Sequence, residues 1–81
     1  MSQKYQKAVE LIQAQQWEQA HEIVQHHRDE VACWIHGWLH RQEGDEANAR
    51  YWYSLAGRPY AEFSLPEELA HIEALLGSLK G

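Results

Sequence analysis

One run, Trp34 to Tyr53 (WIHGWLHRQEGDEANARYWY), constrains this chain more than any other stretch. It holds three of the four tryptophans, two histidines one helical turn apart, and a Gly44-Asp45 pair between two segments of helical periodicity. Glycine ends a helix because it takes the left-handed conformation without a Cβ clash, and aspartate opens the next by accepting from its free amides. The run therefore predicts two helices folded back on each other. Before the turn, Val31, Trp34, Ile35 and Trp38 make one stripe of a helix over about 30–43, and Cys33, His36, Gly37 and His40 make a second at i, i+3, i+4 and i+7. A helix with two such stripes is sandwiched between neighbours. After the turn, Ala49, Trp52, Tyr53 and Ala56 form the inward stripe of a helix over about 46–56.

The flanking segments carry the same period. Tyr5, Ala8, Val9 and Ile12 predict a helix over about 4–14, and Trp17, Ala20, His21 and Val24 a second over about 17–27, joined by the glutamine-rich Gln13–Gln16 turn. Asp29 can cap the helix that follows. Gly57-Arg58-Pro59 breaks the fourth helix. Ser64 and Glu67 then form a capping box that opens a fifth, over about 66–79, with Leu65, Leu69, Ile72, Leu76 and Leu79 on one face. No run alternates apolar and polar residues as a half-buried strand does. The expectation is an all-α fold of about five helices in one domain, 1–81: hairpins over about 4–27 and 30–56, then a C-terminal capping helix.

Length and charge narrow the function. A domain of 81 residues buries only roughly 60–65% of the surface its unfolded chain exposes. Cys33 is the sole cysteine, so no internal disulfide staples it; self-association, a ligand or a metal remain open. Seven basic against twelve acidic residues, net −5, speaks against nucleic acid, which requires clustered lysine and arginine. No apolar run approaches the ~18 residues of a membrane span. The start has no apolar core of the signal-peptide kind, and a lone thiol suits a reducing compartment, so a cytoplasmic location is expected.

Sliding the first hairpin onto the second by 29 residues aligns Ala8 with Gly37, Ala20 with Ala49, Val24 with Tyr53, and Gln15-Gln16 with Gly44-Asp45. Small residues at crossings and large ones between them are what stacked hairpins require. Gly37, Gly44-Asp45, Ala49, Tyr53 and Ala56 resemble the small and large positions of a tetratricopeptide repeat, and Asn48–Tyr53 is similar to the second helix of Sel1-like repeats. Both copies are shorter than the usual unit of about 34 residues. The combined WIHGWLHR, EGD, NARYWY and AGRP segments resemble small uncharacterised bacterial proteins, a likeness that imports no activity. What the repeat resemblance implies is a protein-interaction scaffold with a concave groove lined by Tyr5, Val9 and Ile12, then Trp34, Ile35, Trp38, Arg41 and Gln42. Within it Trp34 and Trp38 would anchor a protein or peptide, a second copy in a homodimer being one option, and Arg41 would orient a carboxylate or a backbone carbonyl. The rival arrangement is that the fifth helix fills this groove in cis.

Two constellations could carry chemistry. Cys33, His36 and His40 share a helix face, and a thiolate with two imidazoles suits zinc, with Glu43 or His21 completing the set. The competing account is that these are core side chains hydrogen-bonded inside the hairpin, in which case no cofactor is present. His26 and His27 are neighbours about 100° apart on a helix and converge poorly on one ion. Arg41, Arg50 and Arg58 could clamp an anion beside Trp38 and Trp52, or serve as helix ion pairs and caps. Neither an oxyanion hole nor a glycine-rich phosphate loop is evident. A non-catalytic role is expected.

Overall fold

The structure, a computed structural model, describes residues 3–80, with side chains to residue 78. It consists of α1 (Gln3–Gln13), α2 (Trp17–Val24), α3 (Glu30–Glu43), α4 (Glu46–Ala56) and α5 (Leu65–Lys80), with no strand among the described residues. The all-α expectation of five helices holds. α1 pairs with α2 and α3 with α4; α2 leans on α3, and α5 lies across α1 and α3. This places α3 at the centre. Nine consecutive residues, Ala32 to His40, are buried, as two stripes on one helix require.

Local chemistry sets each boundary. The Asp29 carboxylate accepts from the Ala32 amide at 3.2 Å and opens α3, while Gly44 ends it in the left-handed region at φ 93°. Asp45 caps α4, and Gly57, at φ 69°, ends it. The Ser64–Glu67 capping box forms as predicted: the Glu67 amide donates to Ser64 Oγ at 3.3 Å, and the Ser64 amide to Glu67 Oε1 at 3.2 Å. On α5, Ile72 and Leu76 are buried, each contributing about 1.5–3 kcal/mol. The side chain of Leu79, expected on the same face, lies outside those described.

The 29-residue correspondence reappears in the backbone. The Gln15 amide donates to the Ile12 carbonyl and the Gln16 amide to Leu11; 29 residues on, Gly44 donates to Arg41 and Asp45 to His40. Gln15 takes the role of Gly44 at φ 63°, a conformation that disfavours a side chain. Ala8, Ala20 and Ala49 are fully buried. Gly37 is required outright, because a Cβ there would lie 2.6 Å from Cδ1 of Tyr53.

One boundary departs from expectation. α2 ends at Val24, about three residues early. Gln25 and His27 instead donate to His21 and Val24 in a tight corner that brings Asp29 to the start of α3. Neither glycine nor proline marks that corner, so the apolar period alone overran it.

Candidate functional site

The aromatic stripe of α3 faces α5. The Trp34 indole donates to Glu68 Oε2 at 2.6 Å, and Arg41 Nη1 reaches the other oxygen of the same carboxylate at 2.8 Å. Trp38 donates to the Leu65 carbonyl at 3.0 Å, at the first residue of α5. Ile35 is fully buried, and the Tyr5 hydroxyl donates to Asp29 at the N-terminus of α3. Burial alone would raise the Asp29 carboxyl, but the bonds from Tyr5 and the Ala32 amide outweigh it and hold its pKa below the usual value. Thus four of the five residues expected to meet a partner, Tyr5, Trp34, Ile35 and Trp38, are buried against this chain's own helices, and Arg41 holds a carboxylate of α5.

Glu68 is the residue that sequence reasoning missed. It is 3% exposed. Its position was legible, since it falls between Leu65 and Ile72 on the inward face of α5, but a stripe scored on apolar residues passes over a carboxylate. The Tyr53 hydroxyl is buried without a hydrogen-bond partner. Burial, reinforced by Glu68, pushes its pKa well up.

Beyond Trp38, an open cleft of about 630 Å³ runs between α1, the end of α3 and the first turn of α5. Its walls are Ile12, Trp17, Trp38, Leu65, Pro66 and Leu69; Gln13, Gln15, Gln42 and Glu43 form the polar part of the lining.

The second stripe of α3 meets α2. His36 and His40 stand one turn apart, and His21 of α2 faces both, with ring centroids 4.6 Å from His36 and 5.1 Å from His40. Trp17 stacks on His21 at 4.9 Å and Trp52 on His36 at 3.8 Å. His40 Nδ1 lies 2.8 Å from Glu43 Oε1, whereas His36 Nδ1 is buried with no partner. Burial, then the two facing imidazoles, pushes the His36 pKa down to about 3. Burial, then His40, also lowers His21.

Cys33 does not join this group. Seven residues separate it from His40, about 10.5 Å along the helix axis. Its thiol donates instead to the Arg28 carbonyl at 3.4 Å, and burial pushes its pKa up. Of the alternative Cys33–His36–His40 set, only the two histidines come together: one nitrogen each of His21, His36 and His40 lie within 4.8 Å of one another. The three arginines do not converge either. Arg41 holds Glu68, Arg50 pairs with Glu46 and covers Tyr60, and Arg58 lies 3.9 Å over Trp34.

No protein-family model, curated protein or solved structure matches the chain. No helix among the described residues is long and apolar enough to cross a membrane.

Proposed function

We propose that this chain is a non-catalytic recognition module that takes a protein segment into the cleft between Trp17, Trp38 and the first turn of α5. The observation that carries it is the cleft itself, about 630 Å³ with mainly apolar walls, lined by Trp38, whose indole also bonds the first residue of α5. Trp34 and Arg41 receive a carboxylate, and Trp38 receives a backbone carbonyl, both supplied by α5. These are the roles a segment-binding groove uses. In the cleft beyond them, a partner would seat an apolar side chain between Trp17 and Leu69 and meet glutamine amides at the rim. Aromatic walls with a polar rim are the composition of interface hot spots. Glu43 favours a basic residue at one end of the segment.

Panning a displayed random-peptide library on the full chain tests this. Enrichment of a common motif is expected, with binding lost in Gln42→Trp, which obstructs the cleft from an exposed position. A library that yields no motif, or a motif whose binding Gln42→Trp leaves intact, contradicts the proposal.

A further inference from the structure

The imidazole cluster lies outside that reading and is built differently from an ordinary polar core. His36 and His40 are four residues apart on α3, a spacing that places two imidazoles side by side on one helix face. The short α2 brings His21 against them from the opposite side, so three nitrogens come within 4.8 Å of one another. A buried polar atom is normally hydrogen-bonded. His36 Nδ1, in a residue only 4% exposed, has no partner.

We propose that His21, His36 and His40 form a three-histidine site for a divalent transition-metal ion of the zinc class. Imidazole nitrogen is a preferred zinc donor, and Zn–N bonds of about 2.0–2.1 Å in tetrahedral geometry place ligand nitrogens roughly 3.4 Å apart. The three nitrogens start within 4.8 Å of one another, and rotation of the side chains would close them to that spacing. His21 has the room to supply it, being only partly buried on the eight-residue α2. Glu43 completes the arrangement: its carboxylate lies 2.8 Å from His40 Nδ1, which leaves Nε2 to face the ion. Trp17 and Trp52, stacked on His21 and His36, form an apolar shell around the donors. Three protein ligands leave a fourth position for water or a small anion. The ion would tie α2 to α3, and so supply the staple that a chain with one cysteine cannot make from sulfur.

The test is titration of chelator-treated full chain with Co²⁺, read by visible absorption, and with Zn²⁺, read by calorimetry. Saturation at one ion per chain is expected, with the absorption of tetrahedral Co²⁺, quenching of tryptophan emission and a raised Tm. His21→Gln, on a partly exposed side chain, and His40→Gln should each weaken binding about a hundredfold or more while the far-UV circular dichroism is kept. Glu43→Gln should weaken it about ten- to a hundredfold and alter the Co²⁺ spectrum. The double variant His26→Gln/His27→Gln should bind as the parent does. Absence of saturable binding at roughly 100 μM Zn²⁺, well above the affinity expected of structural sites, overturns the proposal. So does binding that survives His21→Gln and His40→Gln but is lost with His26 and His27.

Discussion

The indole of Trp52 lies against the imidazole of His36, with ring centroids 3.8 Å apart and planes 13° from parallel. Arg28 covers the same indole, 4.9 Å from its centroid. An indole face attracts a cation, yet burial and the imidazoles of His21 and His40 dominate and keep His36 neutral. The stack is therefore an aromatic contact between uncharged rings. It joins α4 to the helix that carries the histidines.

Acid should loosen the metal-free protein through this group. The unfolded His36 titrates near 6.5 and the folded one near 3, so between these values the unfolded chain binds the extra proton. Stability is fully present above about pH 6.5 and falls as pH drops toward 3, by at most about 1.4 kcal/mol per pH unit for one proton. Urea midpoints between about pH 4.5 and 7.5 should follow this slope, and His36→Gln should flatten it, leaving the smaller share due to His21. A parent midpoint constant across that window contradicts the account.

Glu68 should matter more than any other carboxylate in the chain. Glu68→Ala strips the acceptor from Trp34 and leaves Arg41, 17% exposed at its side chain, without its partner. Removing one member of a buried pair costs about 3–5 kcal/mol, reduced here to about 2–3 because Arg41 reaches water. Glu68→Gln keeps an oxygen for the indole and should cost about half as much. Equilibrium urea denaturation gives both values, and equal losses for the two variants would show that charge, rather than hydrogen bonding, governs the contact.

Gln15→Gly should stabilise the protein. Gln15 occupies the left-handed region at φ 63°, where glycine has no Cβ to clash. Relief of about 1–2 kcal/mol of backbone strain, less about 0.5–1 kcal/mol of added unfolded-state entropy, leaves a net gain of roughly 0.5–1 kcal/mol. Gly44→Ala, at the matching turn with φ 93°, should lose about 1 kcal/mol. Thermal melts of the pair decide, and a lower Tm for Gln15→Gly would refute the strain argument.

The thiol of Cys33 should be silent in the folded state. It is fully buried, donates to the Arg28 carbonyl, and has a raised pKa. Modification by a thiol-specific disulfide reagent should proceed only as fast as the corner between α2 and α3 opens, and should accelerate with denaturant. Rapid labelling in buffer alone would place the sulfur at the surface.

Much of the architecture was legible because its punctuation is chemical and local. Asp29, Gly44, Asp45, Gly57 and the Ser64–Glu67 box bounded α3 and α4 correctly and placed the start of α5 to within a residue. The end of α2 was not legible, since its corner is made by backbone hydrogen bonds of Gln25 and His27 that no residue type announces. The aromatic stripe of α3 could be read, and so could the option that α5 covers it. The place of Glu68 on the inward face of α5 was legible too, but not its role, because a stripe scored on apolar residues passes over a carboxylate. The histidine cluster shows the limit of spacing within one helix. His36 and His40 share a face and were paired, but the third ring comes from α2 across a helix crossing, and Cys33 on the same stripe sits a turn too far away.

Gly37 never touches a histidine ring through a side chain, yet it acts as a keyway for both. Tyr53 fills the volume where its Cβ would stand, 2.6 Å from the nearest ring carbon. That fit sets how closely α3 and α4 approach at their crossing. A Cβ there would force either the Tyr53 ring or the crossing itself to give way, and α3 is the helix that presents His36 and His40 to His21.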